Sequence, residues 1–561
     1  MSRAGKHPTP NPPMIAIAEN DTIASALHKA VSTYRTLPLI VVPENPERDY
    51  HPRGLEISYG EVASAVEVLA HAYTAAGYGL GHRVGLFLDN RPEHFLHKLA
   101  LNTIGACCVP INPDYRAAEL AYLIDHAKLD LVVVLPSRQA ALKQALLITE
   151  QQPVIVQAEQ VVNRLVSAPR PATHGLVNAA TPSSILYTSG TTGRPKGCVL
   201  SHRYELAAGA WYAGLGHLAQ IRPGQERLYN PLPQYHVNAS ILSFFCMLLT
   251  GGCQIQAERF QPTRWWNEVS QTGATIVHYL GVIVPMLLNQ PVSSVQRTHH
   301  VRFGFGAGVE PKLHTQFEQR FGFPLLEIWG MTEIVRVLVD HQAPRQVGAR
   351  AFGRARAGLE VRVANHLGLA LPDDEIGEML VRHSEAQPRK DFFSCYLDDE
   401  ASTEQAWAGG WFHTGDMVKR DATGMLHFVD RQKNIIRRSG ENISAAEIEA
   451  LLLTHPLVEQ VAVMAVQDEW REQEVLACIV LKPVEGQPSE ASPFETAKQL
   501  FDFCFSQLAY YKAPGWVVFR DDIPKTGTQK IQKHRIFEAG TDPRLSADAI
   551  DLRAIKKRER P

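Results

Sequence analysis

The sequence predicts an α/β protein: a large N-terminal domain of βαβ-built sheets followed by a smaller α+β C-terminal domain. Three observations carry this. Short apolar runs alternate with helical patterns over the first 430 residues, the pattern changes after about residue 430, and the length of 561 residues accommodates several domains. Val84 to Leu88 reads as a buried strand, Pro92 to Ile104 as a helix, and Ala106 to Val109 as the next strand, closed by Pro110 and Pro113. A helical pattern at Ala117 to His126 then leads into the strand Leu129 to Leu135. Strand and helix at this spacing make right-handed crossovers and a parallel sheet. The pattern recurs at Thr275 to Leu280 and Val301 to Phe305.

The C-terminal part reads differently. Ser444 and Glu447 are spaced as a capping box, Ile448, Leu451 and Leu452 share one helical face, and His455-Pro456 ends the helix. Val461 to Val466 and Val475 to Leu481 read as strands, and Phe494 to Leu508 as a second helix. The expected boundaries are a flexible Pro-rich lead-in (1–20), the large domain (21–431), the small domain (432–540) and a solvated basic tail (541–561).

Composition narrows the function classes. Lys plus Arg is 56 and Asp plus Glu is 58, a net charge of −2, which gives no support for nucleic-acid binding. A hydrophobic fraction of 45% and a charged fraction of 20% exclude a wholly disordered chain. The eight cysteines show no Cys-x-x-Cys pair and read as buried thiols in a reducing compartment. The N-terminus lacks the apolar core of a secretory signal, and the longest apolar stretch, Ala239 to Leu249, is too short to span a bilayer. A cytoplasmic protein is the expectation.

The sharpest chemical feature is Ile185-Leu-Tyr-Thr-Ser-Gly-Thr-Thr-Gly-Arg-Pro-Lys-Gly197. An apolar strand runs into glycines, hydroxyls and a lysine. Glycines let backbone N–H groups curl round an anion, hydroxyls donate further bonds and Lys196 adds positive charge. This describes a polyphosphate cradle, though not the Walker spacing.

The string closely resembles the signature of the acyl-adenylate-forming superfamily: acyl-CoA synthetases, carrier-protein adenylation domains and luciferases. Four further segments match in order: Trp329-Gly-Met-Thr-Glu333, Gly410-Trp-Phe-His-Thr-Gly-Asp416, Asp430 to Asn442, and Pro524-Lys-Thr-Gly-Thr-Gln-Lys530. The resemblance spans roughly residues 20 to 540 and is nearest to carnitine/crotonobetaine-type CoA ligases. It implies ATP-dependent activation of a carboxylic acid to acyl-AMP, then displacement of AMP by a thiol, with Mg2+ and coenzyme A as cofactor and co-substrate. The first step brings two anions together, so it should rest on positioning and positive charge.

By resemblance, Lys530, Thr332 and Glu333 are catalytic, and Glu333 with Thr188 would hold the metal. The nucleotide would meet Thr188, Ser189, Gly190, Thr191, Thr192, Gly193, Lys196, Gly306, Ala307, Gly308, Trp329, Gly330, Met331, Thr332, Asp416, Arg431 and Lys530. Asp416 would accept the ribose hydroxyls and Trp329 could stack on adenine. His236, Val237, Asn238, Tyr279, Gly281 and Phe305 are the acyl-pocket candidates, and the Phe-Asp pattern of amino-acid-activating relatives is absent. The resemblance implies a mobile C-terminal domain: Lys433 aligns with the hinge, about which the small domain would turn to present Ser439, Gly440 and Glu441 to the pantetheine channel. Arg336 is read as a structural salt bridge or a partner for a second substrate carboxylate. Gln529 and Asn434 depart from the family pattern.

The thiol acceptor stays open between coenzyme A and a carrier protein, and a non-catalytic nucleotide-binding regulator is a third reading. Partners are small molecules, with no nucleic acid and no membrane span; oligomeric state is open, a homodimer included.

Overall fold

A computed structural model describes residues 12–188, 195–365, 367–431, 435–482, 492–524, 531, 533, 536–538 and 541–557. The large domain carries two mainly parallel sheets. The eight-stranded sheet runs in the order Ile334–Val339, Leu325–Met331, Phe303–Ala307, Ile276–Leu280, Arg227–Asn230, Cys253–Gln256, Pro38–Val42, Leu55–Ser58. Its outer pairs are antiparallel and its interior pairs parallel. The seven-stranded sheet centres on the parallel strands Cys107–Pro110, Arg83–Phe87, Leu131–Val134 and Val154–Gln157.

The near-continuous apolar runs of these strands follow from burial on both faces. Every residue of Leu131–Val134 is buried. One core joins Val84 and Leu86 of one sheet to Leu228, Ile276 and Phe305 of the other, through helices His202–Ala213 and Phe244–Thr250. The outer faces pack separately, Tyr279 and Val277 against Trp265 and Phe317, and Phe87 and Val132 against Leu120 and Ile124. The apolar run at Ala239 to Leu249 is a π-helical turn, Asn238–Ser243, continuing into the buried helix Phe244–Thr250. Among the described residues no helix is long and apolar enough to cross a membrane. All eight cysteines are free, and all but Cys395 are buried.

A four-stranded antiparallel sheet, Glu360–Ala364, Ile376–Arg382, Phe412–Arg420 and Leu426–Arg431, completes the large domain. The small domain follows. The hairpin Ile435–Arg438/Glu441–Ser444 and the long hairpin Val458–Asp468/Glu472–Leu481 form a sheet against helices Ala445–Leu452 and Pro493–Gln507.

Two terminal segments differ from the sequence expectation. Ile15 donates its N–H to the Leu249 carbonyl and is buried, so part of the lead-in packs on the large domain. Ile550–Asp551 adds a strand to Trp516–Phe519, Leu552 is buried, and the Lys556 ammonium lies 2.6 Å from Glu474. This stretch is therefore not a solvated tail: an apolar side chain and a matched carboxylate draw it into the small domain.

Candidate active site

The phosphate-cradle string starts and ends on paired strands. Pro182–Thr188 and Lys196–Ser201 run antiparallel, with Thr188 opposite Lys196. Ser189, Gly190, Thr191, Thr192 and Gly193 lie outside the described residues. Lys196 stands 3.5 Å from Asp399 and over the Tyr396 ring. The Tyr396 hydroxyl donates to Glu333 Oε1 at 2.8 Å. Burial, then the Glu333 charge, push the Tyr396 phenol up, which keeps it a donor. Thr188 Oγ1 is 3.9 Å from the Cys198 thiol, whose pKa is raised by burial and by Glu333. The Thr332 carbonyl accepts from the Tyr204 hydroxyl. The Thr188/Lys196 pair and the Thr332-Glu333 turn, distant from each other in the chain, thus meet at one spot.

Glu333 and Thr188 offer oxygens alone. That donor set fits Mg2+, which keeps several waters and takes its remaining ligands from substrate phosphates. Among the described residues no group of three or more His, Cys, Asp or Glu could hold a metal ion.

Beside this spot, the Trp329 indole N–H donates to Asp416 Oδ2 at 2.8 Å, with both side chains buried. The Trp329 ring edge is therefore committed to orienting the carboxylate. Arg431 pairs with Asp416 across the sheet; its side chain, like Lys433 and Lys530 whole, lies outside the described residues. Met331 pairs with Ile334, closing the turn that carries Thr332 and Glu333, and a Cβ on Gly330 would stand 2.8 Å from Val337. Gly306 and Ala307 end the strand Phe303–Ala307, and Gly308 follows it in the turn. A Cβ on Gly306 would stand 2.1 Å from the Tyr279 carbonyl oxygen, so only glycine fits. Glu327, which the sequence reading missed, fixes the following turn: its carboxylate accepts from the N–H groups of Gly308 at 3.2 Å and Val309 at 2.9 Å. Burial raises that carboxyl to about 7. Its only sequence signal is one acid inside the apolar string Leu325 to Trp329. A cavity of about 470 Å3 opens here between the domains, lined by Ala307, Gly308, Trp329, Arg350, Arg437 and Glu472.

The acyl-pocket candidates divide. The register places His278 opposite Phe305 and Tyr279 opposite Gly306. Successive strand residues alternate faces, so Tyr279 points away from Phe305. Its hydroxyl lies 3.3 Å from Glu327 Oε1, in the outer core. His278, which the sequence reading passed over, shares the Phe305 face and lies 2.7 Å from Asn238. Val237 packs on the main core. Gly281 bonds the Ala307 carbonyl at 2.8 Å, where any side chain would strike Gly308. His236 is turned to the small domain, with Nε2 3.4 Å from Glu441. Arg336 is a structural ion pair: it is buried, bonded to Asp391 and adjacent to His383.

The small domain reaches the site through its first hairpin. Ser439 and Gly440 form the turn, both with positive φ. Gly440 lies against Leu280 at the end of strand Ile276–Leu280. Glu441 accepts from the Tyr235 hydroxyl at 2.8 Å. Burial works against its charge, but His236, Tyr235 and Lys512 together hold its carboxyl below the usual range. Lys512 bridges Glu119 of the large domain at 2.7 Å and Glu447 of the small domain at 2.9 Å. Asn112 donates to the Tyr511 hydroxyl at 2.8 Å. These pairs hold the hairpin at the cleft.

Residues 42–387 match the family model described as AMP-binding enzyme, and residues 447–530 match the AMP-binding enzyme C-terminal domain. A crotonobetaine/carnitine–CoA ligase from Proteus mirabilis (strain HI4320) is 30% identical over 499 residues, covering 85% of this chain and 93% of that protein. One from Salmonella heidelberg (strain SL476) is 28% identical over 500 residues, covering 86% and 93%. Among solved structures, a double mutant of o-succinylbenzoate CoA synthetase from Bacillus subtilis, bound with a product analogue, superposes with TM-score 0.76 at 21% identity, covering 92% of this chain and 98% of that one. ATP-bound MatB from Rhodopseudomonas palustris superposes at 0.62 with 24% identity, covering 91% and 97%.

Proposed function

The chain belongs to the AMP-binding enzyme family, and from that premise we propose that it is an ATP-dependent carboxylic acid–CoA ligase, forming acyl-AMP and then the acyl-CoA thioester. The observation that supports this most is the convergence of Thr188, Lys196, Thr332, Glu333 and the Trp329-held Asp416 on one cleft, with the small-domain hairpin docked at its mouth.

In the first step a carboxylate oxygen attacks the ATP α-phosphorus and pyrophosphate leaves. The acid is already ionised near neutral pH, so no general base is required. Lys196, with Thr188 and the adjoining loop, grips the phosphates. Asp416, oriented by Trp329, accepts from the ribose hydroxyls. Lys530 brings a cation to the developing charge. Glu333 and the Thr188 hydroxyl would hold Mg2+, which neutralises phosphate charge when bound. In the second step the thiol sulfur attacks the acyl carbon, the thiol proton passes to solvent, and the carbon–oxygen bond to AMP breaks. The docked hairpin, with Gly440 against Leu280, suits this second step, and rotation at Lys433 would exchange it for Lys530.

The test is acid-dependent exchange of pyrophosphate into ATP, followed by AMP release with CoA. Absence of exchange across a broad acid panel overturns the assignment and favours a non-catalytic nucleotide binder. A purified carrier protein replacing CoA as acceptor would reassign the thiol. Lys530→Ala should cripple acyl-AMP formation far more than thioester formation from supplied acyl-AMP, and Lys433→Pro should do the reverse because a locked φ blocks rotation.

A further inference from the structure

Behind the hairpin contact lies a chain of hydrogen bonds whose polarity can be read link by link. Ile276 and His278 share one strand face by the period of two, and Leu280, at the strand end, packs on the outer core. Leu280 meets Gly440 at the mouth of the cleft. His278 therefore lies two residues further in, about 7 Å from the mouth. It is fully buried, and burial lowers its pKa to about 3, so the ring is neutral, with one donor and one acceptor nitrogen. Nδ1 lies 2.7 Å from Asn238 Oδ1, and Nε2 lies 3.1 Å from the Tyr212 hydroxyl, which burial keeps protonated.

The far end of the chain settles the direction. The Leu232 backbone N–H donates to Asn230 Oδ1 at 3.0 Å, which fixes the orientation of the Asn230 amide. Asn230 Nδ2 then donates its two hydrogens to Asn238 Oδ1 at 3.0 Å and to Ser243 Oγ at 2.9 Å, leaving none for His278 Nδ1, which stands 3.3 Å away. With Asn230 donating, the Asn238 atom it meets must be the oxygen. His278 Nδ1–H accordingly donates to that same oxygen, and Tyr212 donates to His278 Nε2. Asn238 Oδ1 is held by two donors, and its amide N–H2 is turned away from them.

Asn230, His278 and Ser243 have no exposed surface, whereas Asn238 is half-buried. Among the described residues none accepts a hydrogen bond from Asn238 Nδ2. Phe305 stacks on Tyr212 at 4.2 Å and on His278 at 5.2 Å between ring centres, closing the space behind. None of these groups carries a charge that could pair with an ionised substrate group.

We propose that Asn238 presents its amide donor to the acyl substrate and selects a short acid that carries a neutral oxygen acceptor, a ketone or hydroxyl, near its far end, with Tyr212 and His278 positioning the amide. This rests on the ligase reading above and narrows its substrate class. The depth of roughly 7 Å is that of His278, against which Asn238 Oδ1 lies at 2.7 Å, and it admits an acid of about four to six carbons.

The experiment compares pentanoate with 4-oxopentanoate, equal in chain length and differing by one ketone oxygen, using the full chain and the ratio of kcat/KM for AMP release with CoA. A hydrogen bond to a donor that the bound acid covers should favour the ketone by about tenfold. Asn238→Leu should bring the ratio close to one. Asn238→Asp, whose second oxygen can only accept, should reverse the preference toward 4-aminobutanoate. His278→Phe frees the amide to turn over and should lower the ratio without abolishing it. A ratio near one in the unsubstituted protein overturns the proposal, as does an unchanged ratio in Asn238→Leu. If Asn238→Leu is inactive on both acids, the direction of change in Asn238→Asp decides. Exchange that begins only with acids of eight or more carbons also overturns it. Absence of exchange with every acid instead overturns the ligase reading itself.

Discussion

Adding one methyl group to Gly440 should separate the two half-reactions. Gly440 has φ +85, a conformation that costs an L-residue roughly 1–2 kcal/mol wherever the small domain sits. The docked position adds a second cost. A Cβ on Gly440 would stand 2.1 Å from Leu280 Cδ1, with the next atom, Leu280 Cγ, at 3.5 Å. Carbon contacts are favourable near 3.5–4.0 Å, so the Leu280 side chain must swing aside by roughly 1.5 Å. Overpacking of this kind costs about 1–3 kcal/mol. Only this second cost bears on docking, and at 1.36 kcal/mol per decade it amounts to about 5- to 150-fold in rate. Gly440→Ala should therefore slow thioester formation from supplied acyl-AMP by about tenfold or more, while pyrophosphate exchange falls far less. The backbone cost should appear separately, as a lower melting temperature. Leu280→Ala in the same chain removes the struck atom and should restore much of the lost rate. Equal loss in both half-reactions, or no recovery with Leu280→Ala, would refute the view that this turn docks to perform the second step.

Glu119→Gln removes the charge that ties Lys512 to the large domain yet leaves Glu447 in place. A charge-assisted hydrogen bond contributes about 1.5–3 kcal/mol, so the thioester step should slow by roughly tenfold with exchange nearly unaltered; a matched fall in exchange would contradict it. Trp329→Phe deletes the N–H that holds Asp416 and should raise the KM for ATP by about tenfold or more in initial-rate measurements, with kcat less affected. Burial alone would raise the Glu318 carboxyl, yet hydrogen bonds from His314 and Arg345 hold it down to about 2, against 4.5 when unfolded. Its contribution, roughly 3 kcal/mol, is therefore present above pH 4.5 and lost as pH falls toward 2. Arg345→Met should move the acid-unfolding midpoint, followed by circular dichroism, to higher pH; an unmoved midpoint contradicts it.

The amino-acid sequence on its own determined whatever is carried by contiguous residues. Strands such as Leu131–Val134 and helices such as Pro92–Thr103 fall within a few residues of their sequence-based bounds, because burial pattern and helix-breaking prolines are local signals. The strand Pro182–Thr188 that leads into the Gly- and Thr-rich string was legible for the same reason. Packing between distant segments decided the rest. The face on which His278 and Tyr279 separate depends on strand register, and the Asn238 partner of His278 lies 40 residues away. Glu119 gains its role from Lys512, 393 residues later. The chain end reads as a solvated basic run, yet Leu552 and Lys556 are buried because an apolar surface and Glu474 wait there. Hydrogen-bond direction and charge pairing belong to atoms brought within a few ångströms of one another, and no periodicity along the chain records which atoms those are.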